Sequence, residues 1–374
     1  MLLCARHYAT GERIDVRHER GVVADIRPAG SGAVDREAGW IAPALFDLQI
    51  NGCLGISFNS PALTGDQVRK VVDECARHGI AGLLPTLVTN SFVAIQHGFA
   101  TVSRACEADR EVAAAIRGFH LEGPYISPDD GPRGAHPKAH VRDPDLDEFH
   151  RWQDAAGGRI RLVTLAPERP GGLRFIEEVA KSGVVIAIGH TAATPGQIRD
   201  AIAAGAKLST HLGNGSHAVL PRHDNYVWEQ LAADELWASL IPDGHHLPAS
   251  VVKTIVRVKS PRRAIITCDA SSLAGLPPGR YREWDTDFEV QPGGKVVVPG
   301  TPFLAGSGVF TDACAGNVMR MAGVGLADAI DMAGARPREL LGLPPARLEP
   351  GSETPLILFD WEPGGEVLVR GLVR

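Results

Sequence analysis

No long run of lysine or arginine occurs in these 374 residues, and the formal charge is -6 with a pI near 6.2. The chain lacks the basic footprint that tracks nucleic-acid phosphates, so a small-molecule partner is expected and a nucleic acid is not. Long apolar runs are missing too. No stretch approaches the roughly 20 residues that cross a bilayer, and the opening Met-Leu-Leu-Cys-Ala-Arg-His is too short and too soon charged for a signal peptide. Cysteine is sparse: Cys4, Cys53, Cys75, Cys106, Cys268 and Cys314 stand apart, without CxxC pairs. That excludes a dense disulfide framework and points to reduced thiols in a cytoplasmic protein. Cys268 has no basic sequence neighbour to activate it and reads as a buried strand residue.

What is present is punctuation and alternation. Glycine (42) and proline (27) break the chain into short elements. Near the start, Arg13-Ile14-Asp15-Val16 and Gly21-Val22-Val23-Ala24-Asp25-Ile26 alternate as half-buried strands do. The tail offers Pro355 to Asp360 and Glu366 to Val369. These ends pair into one small β-domain, leaving the middle as a single inserted domain. In that middle, eight short apolar runs end abruptly in polar residues: 41–51, 81–89, 116–122, 160–168, 184–190, 206–214, 236–246 and 263–269. Helical periodicity follows several of them, as in Thr64 to His78, Leu173 to Gly183, and Thr194 to Gly205 with Thr194-Pro195 as cap and first helical residue. Eight alternations favour a (β/α)8 TIM barrel over residues 43–344, with 1–42 and 345–374 forming a small β-sandwich domain. A hairpin insertion is expected over Asp285 to Gly300, turning at Pro292-Gly293-Gly294. Helices are expected over Asp312 to Ala322 and Leu326 to Ala335.

Such barrels carry their chemistry where strands end. Here the ends read Gln49-Ile50-Asn51, His120-Leu121-Glu122, Gly189-His190, Thr210-His211, Asp243-Gly244-His245-His246 and Cys268-Asp269. One carboxylate and two imidazoles from three strands, Glu122, His190 and His211, make a catalytic metal shell with an open position for water. Asp269 would serve as base and then as acid. His78, His97, His140 and His150 fall on helices or loops and read as ordinary residues.

With those residues placed, the sequence resembles the amidohydrolase superfamily, specifically the N-acetylglucosamine-6-phosphate deacetylases. The resemblance runs from about Ile41 to Asp360. It is carried by Asp47 to Gly52, Pro85 to Thr89, His120 to Tyr125, Gly134-Ala135-His136, Gly189-His190-Thr191, Thr210-His211-Leu212, Asp243 to His246, Asp269-Ala270 and Leu304 to Ser307. It implies hydrolysis of an acetamide on an amino sugar phosphate, with one divalent metal on Glu122, His190 and His211. Zinc suits that shell, and so do iron, manganese and cobalt. The resemblance further implies that His136 aids the acetyl oxyanion, and that Ala135, Asn214, Gly215, Arg222, His246, Leu304, Ala305 and Gly306 contact the substrate. Its arginine reaches the sugar phosphate across a homodimer interface.

Two departures narrow this. The usual His-x-His of the first strand is Gln49-x-Asn51, and neutral amides bind zinc poorly, so both are expected to support the site by hydrogen bonds. After His211 the usual His-Leu-(Tyr/Phe)-Asn-Ala-Met becomes His211-Leu212-Gly213-Asn214-Gly215-Ser216-His217. Arg222 either binds phosphate or pairs with Asp224 or Glu229, and His217, His223 and His245 are extra imidazoles with no assigned role. The rivals are therefore a deacylase of an unphosphorylated N-acetyl sugar or other N-acyl compound, and an inactive sugar-binding sensor.

Overall fold

The computed structural model of the chain describes residues 1–283, 286–301 and 303–374. The alternating segments of the two ends meet in one sheet. Its spatial order is Leu368–Val373, Leu356–Asp360, Arg36–Pro43, Leu2–His7, Arg13–Glu19, Val22–Pro28. Every second residue faces inward: Leu3 and Ala5, Ile14 and Val16, Leu356 and Leu358 pack together in its core. Full burial of such aliphatic side chains contributes roughly 1.5–3 kcal/mol each.

The eight apolar runs form eight parallel strands: Leu45–Ile50, Ile80–Val88, Phe119–Glu122, Ile160–Leu165, Val185–Ile188, Ala206–Ser209, Trp237–Leu240 and Ala264–Ile266. Each pairs with its sequence neighbour, in order from the first to the eighth. The run 41–51 is divided between two sheets. The Ala44 amide donates to the Pro355 carbonyl (2.8 Å) and the Leu45 amide to that of Gly79 (2.9 Å), so the ladder passes from the small sheet to the barrel at this point. The eighth strand is also shorter than its run, because Cys268 donates its amide to a side chain, Asp47 (2.9 Å), rather than to a neighbouring strand.

Helix Gly65–Arg77 begins at Thr64, whose hydroxyl accepts from the Gln67 amide while the Gln67 side chain accepts from the Thr64 amide. Thr194 and Gln197 repeat this reciprocal cap at helix Pro195–Ala203. The helix expected over Leu326 to Ala335 ends at Met332, and a second, Ala335–Leu340, begins at its last expected residue. The Ala333 carbonyl between them accepts from the Phe46 amide (2.8 Å), which docks this corner on the first barrel strand. The expected hairpin forms, with Thr286–Gln291 paired to Lys295–Val297 around the 292–294 turn. Asp285, its expected start, lies outside the described residues. Among the described residues no helix is long and apolar enough to cross a membrane.

Inside the barrel Phe46, Leu48, Leu84, Leu162, Leu208 and Ile265 form an apolar plug. Above it lies a polar layer: His120 Nε2 meets Thr164 Oγ1 at 2.7 Å, and Thr164 meets Thr210 Oγ1 at 2.7 Å. The plug keeps the floor dry, and the polar layer carries the strand ends.

Candidate metal centre and active site

Three strand ends converge on one point. Glu122 Oε1 lies 3.2 Å from His190 Nε2 and 3.0 Å from His211 Nε2, and the two imidazole nitrogens are 3.2 Å apart. All three side chains are buried. Ligand bonds of ~2.0–2.1 Å in a tetrahedron would separate ligands by about 3.3 Å, so these spacings fit a small divalent ion. The ring orientation fits as well. His190 Nδ1 donates to the Pro132 carbonyl at 2.8 Å, so Nε2 is the nitrogen turned to Glu122 and to the centre. Burial alone would raise the Glu122 pKa; its hydrogen bonds to His190 and His211 outweigh that and hold it well below the usual carboxylate range.

His136 enters the same cluster, with a ligand-type atom within 4.8 Å of those of Glu122 and His190. Its Nδ1 meets Thr89 Oγ1 at 2.9 Å and its ring stands edge-on to His190, centroids 4.4 Å apart. Burial, then the neighbouring His190 charge, pushes its pKa down to about 3, so it is a neutral imidazole near pH 7.

Asp269 faces the cluster from the end of the eighth strand. Burial and then the negative Glu122 push its pKa up to about 7. Asn51 Nδ2 donates to its Oδ1 at 2.7 Å. Gln49 Nε2 donates to Glu122 Oε1 at 3.0 Å. Both amides of the first strand thus hydrogen-bond carboxyl groups of the cluster.

The backbone marks the same residues. Of the six non-glycine residues with positive φ among those described, three are His190 (51°), His211 (30°) and Asp269 (51°). Left-handed backbone costs a branched or bulky residue of order 1–3 kcal/mol and persists where surroundings impose it. The His211 amide is held by Ser239 Oγ at 2.7 Å, and the loop after His190 by Glu168, which accepts from the Ala192 amide at 2.6 Å.

The remaining expected contacts divide. Gly215 backs onto His190: a β-carbon there would lie 2.7 Å from Nδ1. Asn214 Nδ2 donates to the His211 carbonyl at 3.2 Å. Leu304–Ser307 is a short strand laid against Asp269, whose carbonyl accepts from the Ser307 amide at 2.8 Å; Ala305 and Gly306 lie within it. His246 Nδ1 meets Asp243 Oδ2 at 2.7 Å, and the His246 charge is among the influences that favour the ionised form of Asp269. Ala135, beside His136, is exposed. Arg222 is exposed as well and pairs with neither expected acid; Glu229 instead binds Arg199 at 3.0 Å.

Two of the extra imidazoles are engaged. His245 Nε2 meets the Gly293 carbonyl of the hairpin turn at 2.9 Å, and His217 Nδ1 meets Tyr226 Oη at 3.0 Å. Sequence reasoning assigned no role to Thr89, Asp243 or Asp47. The available signal was a polar residue within or just after an otherwise apolar strand.

A parallel eight-stranded barrel with a carboxylate, imidazoles and an acid gathered at its strand ends defines the class: an amidohydrolase-type barrel. No protein-family model matches the chain. Individual proteins do. It is 32% identical over 342 residues to an N-acetylgalactosamine-6-phosphate deacetylase of Escherichia coli O157:H7, covering 91% of this chain and 89% of that one. It is 31% identical over 333 residues to the N-acetylglucosamine-6-phosphate deacetylase of Bos taurus, 86% of this chain and 79% of that one. A solved Mycobacterium smegmatis N-acetyl-D-glucosamine-6-phosphate deacetylase variant, in complex with N-acetyl-D-glucosamine-6-phosphate, superposes with a TM-score of 0.86 at 30% identity, covering 99% of both chains. The chain belongs to the N-acetylglucosamine-6-phosphate deacetylase family of the amidohydrolase superfamily.

Proposed function

We propose that the protein hydrolyses the acetamide of an N-acetylated hexosamine 6-phosphate, N-acetylglucosamine 6-phosphate, to the free amine and acetate. What carries this reading is the 30% identity over 99% of the chain with an enzyme captured holding that phosphosugar. Glu122, His190 and His211 would hold one divalent ion, zinc by ligand type. Bound there, the ion supplies Lewis acidity that brings the pKa of water from ~15.7 to about 7. Asp269 takes the proton of the attacking water and returns it to the amide nitrogen, so the C–N bond breaks as the amine becomes neutral. His136, neutral and anchored through Nδ1 on Thr89, offers Nε2 to the acyl oxygen as negative charge develops.

Gln49 and Asn51 support Glu122 and Asp269 and hold no second metal. Ala135, Asn214, Gly215, His246 and the backbone of Leu304, Ala305 and Gly306 would line the sugar. Arg222, exposed and without an ion pair among the described residues, suits a phosphate. We place it at a homodimer interface, serving the neighbouring copy; Val219 (87% exposed) and Trp228 (52%) supply apolar surface beside it for that copy to cover. Six buried, unpaired cysteines accord with the reducing cytoplasm. We divide the chain into a barrel, 43–344, and a β-domain of 1–42 and 345–374.

A second reading, N-acetylgalactosamine 6-phosphate as substrate, is favoured by the Escherichia coli relative. Acetate release from the two 6-phosphates and from unphosphorylated N-acetylglucosamine separates the possibilities. Turnover of a 6-phosphate is expected, and Arg222→Ala should raise KM for it alone. Equal turnover of the unphosphorylated sugar would remove the phosphate from the account, and binding without acetate from any of them would indicate a sensor.

A further inference from the structure

The eighth barrel strand stops pairing at Ile266, three residues before Asp269, and the first and eighth strands share no ladder among the described residues. Backbone contact across this seam is confined to its upper end, where the Asn51 amide donates to the Ala270 carbonyl at 2.8 Å. Below that point one side chain bridges the gap. Asp47, fully buried on the first strand, accepts from the Cys268 amide (2.9 Å), the Thr267 hydroxyl, the Thr311 hydroxyl (2.6 Å) and the Gln49 amide (2.9 Å). The register of the first strand shifts between Asp47 and Ile50, and a bulge of this kind re-aims side chains. One carboxylate thereby ties together the segment before Asp269, the segment bearing Gln49 and Asn51, and the start of helix Thr311–Ala322.

Among the described residues Asp47 has no ion pair, and a buried carboxylate without a cation is costly even when hydrogen-bonded. Plain strand pairing would close the seam at lower cost. Pairing, however, would require extended backbone through Cys268 and Asp269, whereas Asp269 sits at φ 51°. A side-chain acceptor satisfies the Cys268 amide and leaves the next residue free to turn. We infer that Asp47 is a positioning residue for Asp269: it fixes the left-handed turn that aims the Asp269 carboxyl at the cluster of Glu122 and the histidines. For its kinetic consequence this rests on the deacetylase reading; for its structural one it does not.

The test uses the metal-loaded full-length protein. Asp47→Asn keeps the shape but replaces one acceptor oxygen with a donor, set against either the Cys268 amide with the Thr311 hydroxyl or the Gln49 amide with the Thr267 hydroxyl. We expect kcat on the best 6-phosphate substrate to fall about tenfold or more, with KM within twofold and the metal content per chain unchanged. Amide exchange at Cys268 should accelerate by a similar factor while Leu121, in the third strand, keeps its protection. Thr311→Val should reproduce a smaller part of the kcat loss and Thr311→Ser restore it, so this pair decides the matter if Asp47→Asn does not fold. Unchanged kcat, a parallel loss of metal, or unaltered protection at Cys268 would overturn the inference. A wild type silent on every substrate would instead contradict the deacetylase reading, and the exchange result would decide the role of Asp47 alone.

Discussion

At Asp269 one carboxyl is shaped by backbone, hydrogen bond and charge together. Burial and Glu122 raise its pKa to about 7, while the Asn51 amide favours the ionised form. Removing that donor in Asn51→Ala must shift the balance toward the protonated acid. The acid limb of the kcat/KM profile should then move to higher pH, with the largest loss of rate below neutrality, measured as initial rates from pH 5 to 9. A profile that kept its acid limb would separate Asn51 from the base. Glu122, His190, His211 and Asp269 were legible in the sequence because each ends an apolar run, where a polar group needs a reason. Thr89 and Asp47 were not. Their meaning depends on what lies opposite: His136 for Thr89, and Thr267, 220 residues along the chain, for Asp47.

Elements were read well where local chemistry decides them. The helical periodicity from Thr64 and the Thr194-Pro195 start marked their helices, and the structure closes each with a reciprocal cap, Gln67 on Thr64 and Gln197 on Thr194. Where long-range partners decide, the sequence was mute: the switch between sheets at Ala44 depends on Pro355, and the split after Met332 depends on Phe46. The segment after His211 is the informative departure from the family pattern. Its Gly215 adopts φ 54°, and a β-carbon there would meet three His190 ring atoms at 2.7–3.2 Å. Gly215→Ala should therefore displace His190 and weaken metal binding roughly 10–100-fold, the range for disturbing a group that orients a ligand. Competition against a chelator reads this directly, and unchanged affinity would mean the loop yields without moving the histidine.

The whole molecule is eight strand-and-crossover units closed on themselves, with both chain ends joined in a sheet at its side. That plan was visible as eight runs between two alternating tails. The closure was not, because it is made by an isolated contact between Ile50 and Ala270 and by one buried carboxylate rather than by a ladder. The plan serves one site, where Glu122, His190 and His211 meet within 3.0–3.2 Å. The most direct measurement is a titration of metal-stripped protein with zinc, following acetate release from N-acetylglucosamine 6-phosphate. Activity should be absent without metal and rise linearly to a plateau at one ion per chain, and His211→Ala should abolish the rise. Acetate release that survives stripping, or a plateau only at two ions per chain, would contradict the account.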